Sequence, residues 1–278
     1  MGNLLMERLG PDTPPDRAGA EGSESIRRAN RLRLVSALRR LGPMSRIEAA
    51  RHCGLSPATI TLIAAELQRA GILVEGERTE RGTGPGRPRR RLGLAPGRAE
   101  VAAAAVTHRG IGFARADFAL SRIERWQTRP ELGTMDTREL AEHVVAAFDR
   151  KPDVLVLGVQ GAVANDGRSI VWSPALPGAS GALAGAIEAR GFPYVTVDND
   201  CALIAGILPR EIEGLNPPFC AVLASYGIGA AVVGAEGIMR GARSSAFELG
   251  HVPYRPDGRK CRCGRRGCVE AYAADYAV

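Results

Sequence analysis

The chain has 278 residues, 45% of them hydrophobic, and a formal net charge of +7. That length predicts one large domain and one small one, each with a real core. No apolar run reaches the roughly eighteen residues of a membrane span, no apolar leader with a cleavage site is evident, and Cys53, Cys201 and Cys220 lie singly; no membrane span, signal peptide or disulfide framework is expected, and a cytoplasmic protein is.

Charge is unevenly placed. Residues 1–98 hold 18 Arg against 10 Asp and Glu, a net of +8, which leaves −1 for residues 99–278. A basic head on a near-neutral body suits phosphate binding through the head. Residues 1–25 are rich in Pro, Gly, Asp and Glu without periodicity, which predicts a disordered tail. Residues 26–95 read as a winged helix-turn-helix domain. Leu32, Val35, Leu38 and Leu41 form one stripe on a first helix, stopped by Gly42-Pro43. Ser45 caps a second helix through about Cys53, with Glu48 at its third position and Ile47 and Ala50 facing inward. Gly54 makes the turn, and Ser56-Pro57 starts a third helix anchored by Ile60, Ile63 and Leu67 and ended by Gly71. Its outer face carries Ser56, Thr59 and Thr61, hydroxyls suited to phosphates and base edges in a major groove.

Ile72-Leu73-Val74 and Leu92-Gly93-Leu94 read as short strands that bracket a Gly/Pro/Arg segment. Residues 76–98 are wing, linker or both. Arg87, between Gly86 and Pro88, is the candidate for a minor groove, where negative potential attracts guanidinium.

From residue 99 the pattern is α/β. Strand-like runs cover Val101–Val106, Gly110–Asp117, Val154–Val159, Tyr194–Val197, Cys220–Ala224 and Ala230–Val233, and Leu140, Val144, Val145 and Phe148 form a helical stripe. Tyr226-Gly227-Ile228-Gly229 reads as the turn of a hairpin, and Asn199-Asp200 follows a strand, where a helix-capping role is the plain alternative to ligand binding. His251 then precedes Cys261-Arg262-Cys263-Gly264-Arg265-Arg266-Gly267-Cys268. Three thiols and one imidazole close a tetrahedral site with no place for water, so His251, Cys261, Cys263 and Cys268 are candidate ligands of a structural zinc ion. Gly264 and Gly267 permit the reversals that bring the sulfurs together.

Glu248-Leu249-Gly250-His251 followed by CRCGRRGCVE resembles the ROK family of repressors and sugar kinases. The resemblance implies an actin/hexokinase-like sugar domain over 99–278, behind a winged helix-turn-helix joined by a G-R-P segment. It implies that Asn199, Asp200, Glu248, His251 and Glu270 line a sugar pocket beside the zinc knuckle. It also implies that the domain is incomplete, since family members continue past the knuckle; Val278 falls inside an expected helix 269–278. In the kinases of the family the aspartate at the Asp200 position takes the proton from the sugar hydroxyl. The phosphate loops depart from the kinase pattern: 102–110 lacks the aspartate and paired glycines of D-x-G-G-T, and Tyr226 replaces the threonine of T-G-x-G. Gln160, Ser244 and Phe247 are further departures, and Phe247 stands where it crowds the pocket. The expectation is a DNA-binding repressor of carbohydrate-metabolism genes that responds to a sugar or sugar-phosphate effector, dimeric on operator DNA and nucleoid-associated, with no kinase activity. A kinase with a regulatory head, and a shortened DNA-binding remnant blind to sugar, are the alternatives.

Overall fold

The computed structural model describes residues 20–78, 90–244 and 247–278. The described chain forms two units: one up to Ala99 together with Ala116–Arg122, the other Glu100–Arg115 with Ile123–Val278.

The first unit holds helices α1 (Ala20–Leu41), α2 (Arg46–Cys53) and α3 (Pro57–Arg69) and strands β1 (Met44–Ser45), β2 (Leu73–Arg78) and β3 (Arg90–Leu94). The strands form one antiparallel sheet in the order β1-β3-β2, with Met44 opposite Leu92 and Leu73 opposite Leu94. Local chemistry fixes the helix ends. Ser45 and Glu48 make a reciprocal capping box on α2, Gly54 ends that helix at φ +62°, and Ser56 caps α3 with Pro57 in its first turn. Leu34, Ile60, Ile72 and Leu92 fill the core. Truncating any of them to Ala costs about 2–5 kcal/mol.

Four expectations need correction here. Helix α1 begins at Ala20, so residues 20–25 are helical rather than tail, despite Gly22, Ser23 and Ser25; an Arg31–Glu24 ion pair of 2.9 Å joins residues two turns apart. Its buried face is Leu34, Ala37 and Leu38 with Val35 packed beside them; Val35 and Leu38 of the expected stripe thus meet the core, while Leu41 is exposed. Ile47 is 47% exposed while Ala49 is buried, because the closely packed α2 accepts only small side chains inward. Residues 116–122 also belong to this unit, which a boundary near residue 98 misses: Phe118 is buried in its core, and Arg39 donates to the Phe118 carbonyl at 3.2 Å. Residues 1–19 and 79–89, with Arg87, lie outside the described residues.

The second unit is built on a five-stranded sheet of β4 (Glu100–Thr107), β5 (Gly110–Asp117), β6 (Ile123–Thr128), β7 (Val154–Val159) and β10 (Val195–Asn199), in the order β10-β7-β4-β5-β6. Strands β4, β7 and β10 run parallel, with Val106 opposite Val159 and Val159 opposite Asn199. Helices α4 (Thr137–Ala146) and α5 (Leu183–Glu188) pack Leu140, Val144, Leu183 and Ile187 against Leu155, Leu157 and Val197. A short hairpin, β8 (Ala162–Val163) with β9 (Ile170–Trp172), follows β7. Helix α6 (Asp200–Glu211) leaves β10 and packs on a second sheet of β11 (Phe219–Ala224), β12 (Ile228–Gly234) and β13 (Gly237–Ile238) through Cys201, Ala205, Ala221 and Ala231. The tight turn before β12 is Ser225–Gly227; Ile228 and Gly229, expected in the turn, already pair with Ala224 and Leu223.

The expected helix 269–278 is shorter. Helix α7 spans Glu270–Ala273, and Ala274 is extended. Asp275 N–H instead reaches the Ser225 carbonyl at 2.9 Å and the Tyr276 hydroxyl reaches Glu270 at 3.3 Å. These tertiary bonds replace helical ones.

Candidate functional site

At the carboxyl end of β10, Asn199 is the N-cap of α6. Its Oδ1 accepts the Ala202 N–H at 3.0 Å and its Nδ2 donates to the Gly161 carbonyl at 2.9 Å. Asn199 is therefore committed to structure, and the capping role weighed for an aspartate falls to it. Asp200 is left facing a cleft, its carboxylate answered only by backbone N–H groups such as that of Cys201 at 2.8 Å. Burial raises its pKa, and those N–H groups oppose the rise. Behind it, Arg240 grips Asp198 with two contacts of 2.9 and 2.5 Å, which ties the segment after β13 to the end of β10.

The opposite wall comes from 248–276. Glu248, His251 and Glu270 line the same cleft as Asn199 and Asp200, so the five residues expected together are together. Glu270 is buried, with Oε2 accepting the Ile228 N–H at 3.0 Å and Oε1 accepting from the Tyr276 hydroxyl at 3.3 Å. It thereby holds the start of β12 in place, just after the 225–227 turn. A Cβ on Gly250 would lie 2.3 Å from the Ile228 carbonyl oxygen, so no larger residue fits there. Burial raises the Glu248 pKa; His251 pulls it down and Glu270 adds to the rise. Acceptor oxygens from two directions suit a polyhydroxylated ligand, whose hydroxyls donate.

His251, Cys261, Cys263 and Cys268 form one cluster, their ligand atoms all within 4.8 Å of one another. The Cys263–Cys268 sulfurs and the Cys261 sulfur and His251 Nδ1 are each 3.8 Å apart. A tetrahedral ion with thiolate bonds of about 2.3 Å has sulfur–sulfur edges of about 3.8 Å, so the donor set and its size fit a metal ion. Burial pushes the Cys263 thiol up, but hydrogen bonds from Arg265 and the neighbouring cysteines outweigh it and lower its pKa. Burial, with hydrogen bonds to Cys263 and Cys261, pushes Cys268 up to about 12. A cation resolves that conflict by stabilising all the thiolates at once.

Four further residues shape the cleft without a clear signal in the sequence. Trp172, 40% exposed, stands at its mouth with its ring 6.0 Å from His251. Tyr226 stacks on His108 at 3.5 Å, and Arg262 sits in the corner between Tyr226 and Tyr276, 4.2 and 3.9 Å from their ring centres. Only Tyr226 is flagged in advance, as an oddity in a glycine turn. Phe247, expected to crowd the pocket, does line it and is 40% exposed.

In the first unit, Ser56, Thr59 and Thr61 lie on the first turns of α3. Their hydroxyls are engaged locally: Ser56 Oγ accepts the Thr59 N–H at 3.1 Å and shares a 2.8 Å hydrogen bond with Thr59 Oγ1, and Thr61 donates to the Pro57 carbonyl at 2.8 Å. Leu62, 58% exposed, is the large apolar side chain on the same outer surface.

Residues 97–278 match the ROK family, and the chain belongs to that family. It is similar, at 24% identity over 96% of its length, to the DNA-binding transcriptional dual regulator NagC of Escherichia coli, of which it covers 67%. It is 28% identical over 67% of its length to an N-acetylmannosamine kinase of Yersinia pseudotuberculosis, of which it covers 62%. The crystal structure of a ROK family transcriptional regulator, a homologue of E. coli Mlc, superposes with a TM-score of 0.65 at 22% identity, over 91% of this chain and 66% of that one. The chain thus spans about two-thirds of the length of these relatives. The regulator match runs through both units, whereas the kinase match covers less of the chain. No helix among the described residues is long and apolar enough to cross a membrane.

Proposed function

We propose that this protein is a carbohydrate-responsive transcriptional regulator, acting as a repressor in the cytoplasm on operator DNA. The carrying observation is the pairing, in one chain, of a helix-turn-helix unit with β2 and β3 as the base of a wing and a separate cleft lined by Asp200, Glu248, His251 and Glu270. Helix α3 enters the major groove with Ser56, Thr59 and Thr61 on its leading face, Arg87 reaches the minor groove, and two copies bind two half-sites about one helical turn apart. A hexose lies in the cleft with hydroxyls donated to Asp200 and Glu248. Glu270 and Asn199 act by positioning. Zinc is the metal that this Cys3His set suits. Held by these four residues, it would supply no reaction chemistry: it would brace 261–268, orient His251 and keep Glu270 against the start of β12. The sugar regulates by binding one arrangement of the protein better than another.

Asp200 keeps the kinase reading in view, because a buried carboxylate whose pKa is raised is a competent base. The stack of His108, Tyr226 and Arg262 argues against it: bulky rings fill the two loops in which the kinases of the family carry aspartate, glycine and threonine. The test is fluorescence anisotropy of zinc-loaded protein on DNA from upstream of its own gene, at fixed salt, with a panel of sugars. Specific binding shifted severalfold by one sugar is expected. Specific binding blind to every sugar leaves a DNA-binding protein without a sensor, and ADP release with any hexose, lost in Asp200→Asn, overturns the regulator reading.

A further inference from the structure

On the outer face of α3, the side chains that most often read bases by hydrogen bonding are missing. Between Ser56 and Ala65 the chain holds no Arg, Lys, Asn, Gln, Asp or Glu, the residues that make the favoured contacts to guanine, adenine and cytosine edges. The hydroxyls present are already engaged: Ser56 and Thr59 bond one another at 2.8 Å, and Thr61 donates to the Pro57 carbonyl at 2.8 Å. Gln68, further along the helix, accepts from Arg46, and Arg46 also holds Glu75 at 2.7 Å. What the face offers instead is apolar. Ala58, Leu62 and Ala65 recur at helical spacing and all are exposed, and the exposed Thr61 adds a methyl. This strip is separate from the face that builds the core, where Ile60, Ile63, Ala64 and Leu67 are buried. One exposed leucine is ordinary on a protein surface; a leucine aligned with two alanines, where polar readers are absent, is a contact surface. Charge limits what it meets. Residues 1–98 carry a net +8, which suits a phosphate backbone and opposes a second copy of the same basic unit. In a major groove, the base-edge feature that gains from apolar contact is the C5-methyl group of thymine.

We propose that α3 reads its operator through thymine methyl groups, with Leu62 as the residue that determines specificity. Ala58, Ala65 and Thr61 are small enough to let the helix backbone approach the bases. The inference rests on the DNA-binding reading and deepens it: the partner is duplex DNA whose half-sites present thymine, rather than cytosine, opposite Leu62. Affinity still comes from phosphate contacts, so the methyl groups set the choice of sequence and leave the salt dependence untouched.

The test removes the methyl groups and nothing else. Duplex DNA from upstream of the gene is made once with thymine and once with deoxyuridine in its place, which keeps every base pair. Fluorescence anisotropy then compares the two for the full zinc-loaded chain and for Leu62→Ala, over a range of salt. The wild type should lose about fourfold in affinity for each methyl that Leu62 covers. Leu62→Ala should bind thymine DNA severalfold more weakly and no longer distinguish the two DNAs, with the same salt slope as the wild type. Because Leu62 is 58% exposed, the variant should fold as the wild type does, and circular dichroism verifies this. Equal wild-type affinity for both DNAs overturns methyl readout while leaving the regulator reading intact. A deoxyuridine penalty of the same size in Leu62→Ala overturns the assignment to Leu62, since the methyl groups then act through DNA shape. A change of oligomeric state in Leu62→Ala, with DNA affinity unaltered, turns the strip into a contact between copies and overturns the proposal. Absence of specific binding to thymine DNA removes the regulator reading, and this inference with it.

Discussion

Helices α3 and α6 both begin with a polar cap, yet the two caps leave different chemistry behind. At α3, Ser56 takes the Thr59 N–H and also bonds its hydroxyl, so the cap consumes two of the groups that face outward. At α6, Asn199 does the capping and also anchors Gly161, which spares Asp200 for the cleft. The caps obey the same local rule. What remains for a ligand depends on what arrives from far along the chain: at α6, a wall made by residues 225–276. The helix ends of the first unit thus rest on short-range features and the cleft on long-range ones, a difference that can be broken experimentally at each end.

The largest effect is expected from the metal cluster. Chelation, or Cys268→Ser, should cost the second unit on the order of several kcal/mol, because metal binding and folding are coupled there. Thermal unfolding followed by near-ultraviolet circular dichroism reads this through Trp172 and Tyr226, while the helical signal of the first unit should melt as before. An unchanged melting curve after exhaustive chelation would show that the cluster holds no ion.

Next comes Asp198→Ala. It strands Arg240, which is one-third exposed, and so the loss is placed at about 2–3 kcal/mol, below that of a fully buried pair. Urea denaturation checks it, and Arg240→Met in the same background should recover part of the loss. Recovery would be absent if the pair served only as a surface contact. Ser45→Ala, which removes the capping box of α2, should cost about 1 kcal/mol and act on the first unit alone. A shift in the unfolding of both units would contradict the separation drawn above.

The smallest change in stability belongs to Asp200→Asn. Burial raises the folded-state pKa of Asp200 above its ordinary value of 3.8. The charged form is thus disfavoured by folding; that cost is fully present above the raised pKa and fades as pH falls toward the ordinary value. The variant should therefore match or exceed the wild-type Tm near neutral pH, with the gap closing in acid, while losing sugar binding. A Tm that falls by several degrees at neutral pH would mark Asp200 as structural and remove it from the ligand site.

Much of the first unit was legible because its signals are short-range. Ser45 with Glu48, Gly54, and Ser56 with Pro57 each act within four residues, and they set the helix ends they imply. The buried face of α1 was read only in part because its apolar residues offer two overlapping stripes: Val35 and Leu38 meet the core as expected, while the partners α2, α3 and β3 choose Leu34 over Leu41. Phe118, more than twenty residues beyond the expected boundary, carries no local sign that it completes that core.

In the second unit the spacing of His251, Cys261, Cys263 and Cys268 was enough to name a metal cluster, since thiol and imidazole chemistry is written in residue type and separation alone. Family resemblance nominated Asn199, Asp200, Glu248, His251 and Glu270. The sequence by itself could not say that Asn199 and Glu270 spend their polar atoms on Gly161, Ala202, Ile228 and Tyr276 while Asp200 stays open. Nor could it place His108, Tyr226 and Arg262, spread over 155 positions, in one stack. Sequence determined the caps, the strands and the metal donors because each depends on neighbours a few residues away. Tertiary structure alone decided which polar groups are consumed and which face the cleft, because hydrogen bonding and desolvation depend on whatever else occupies the same space.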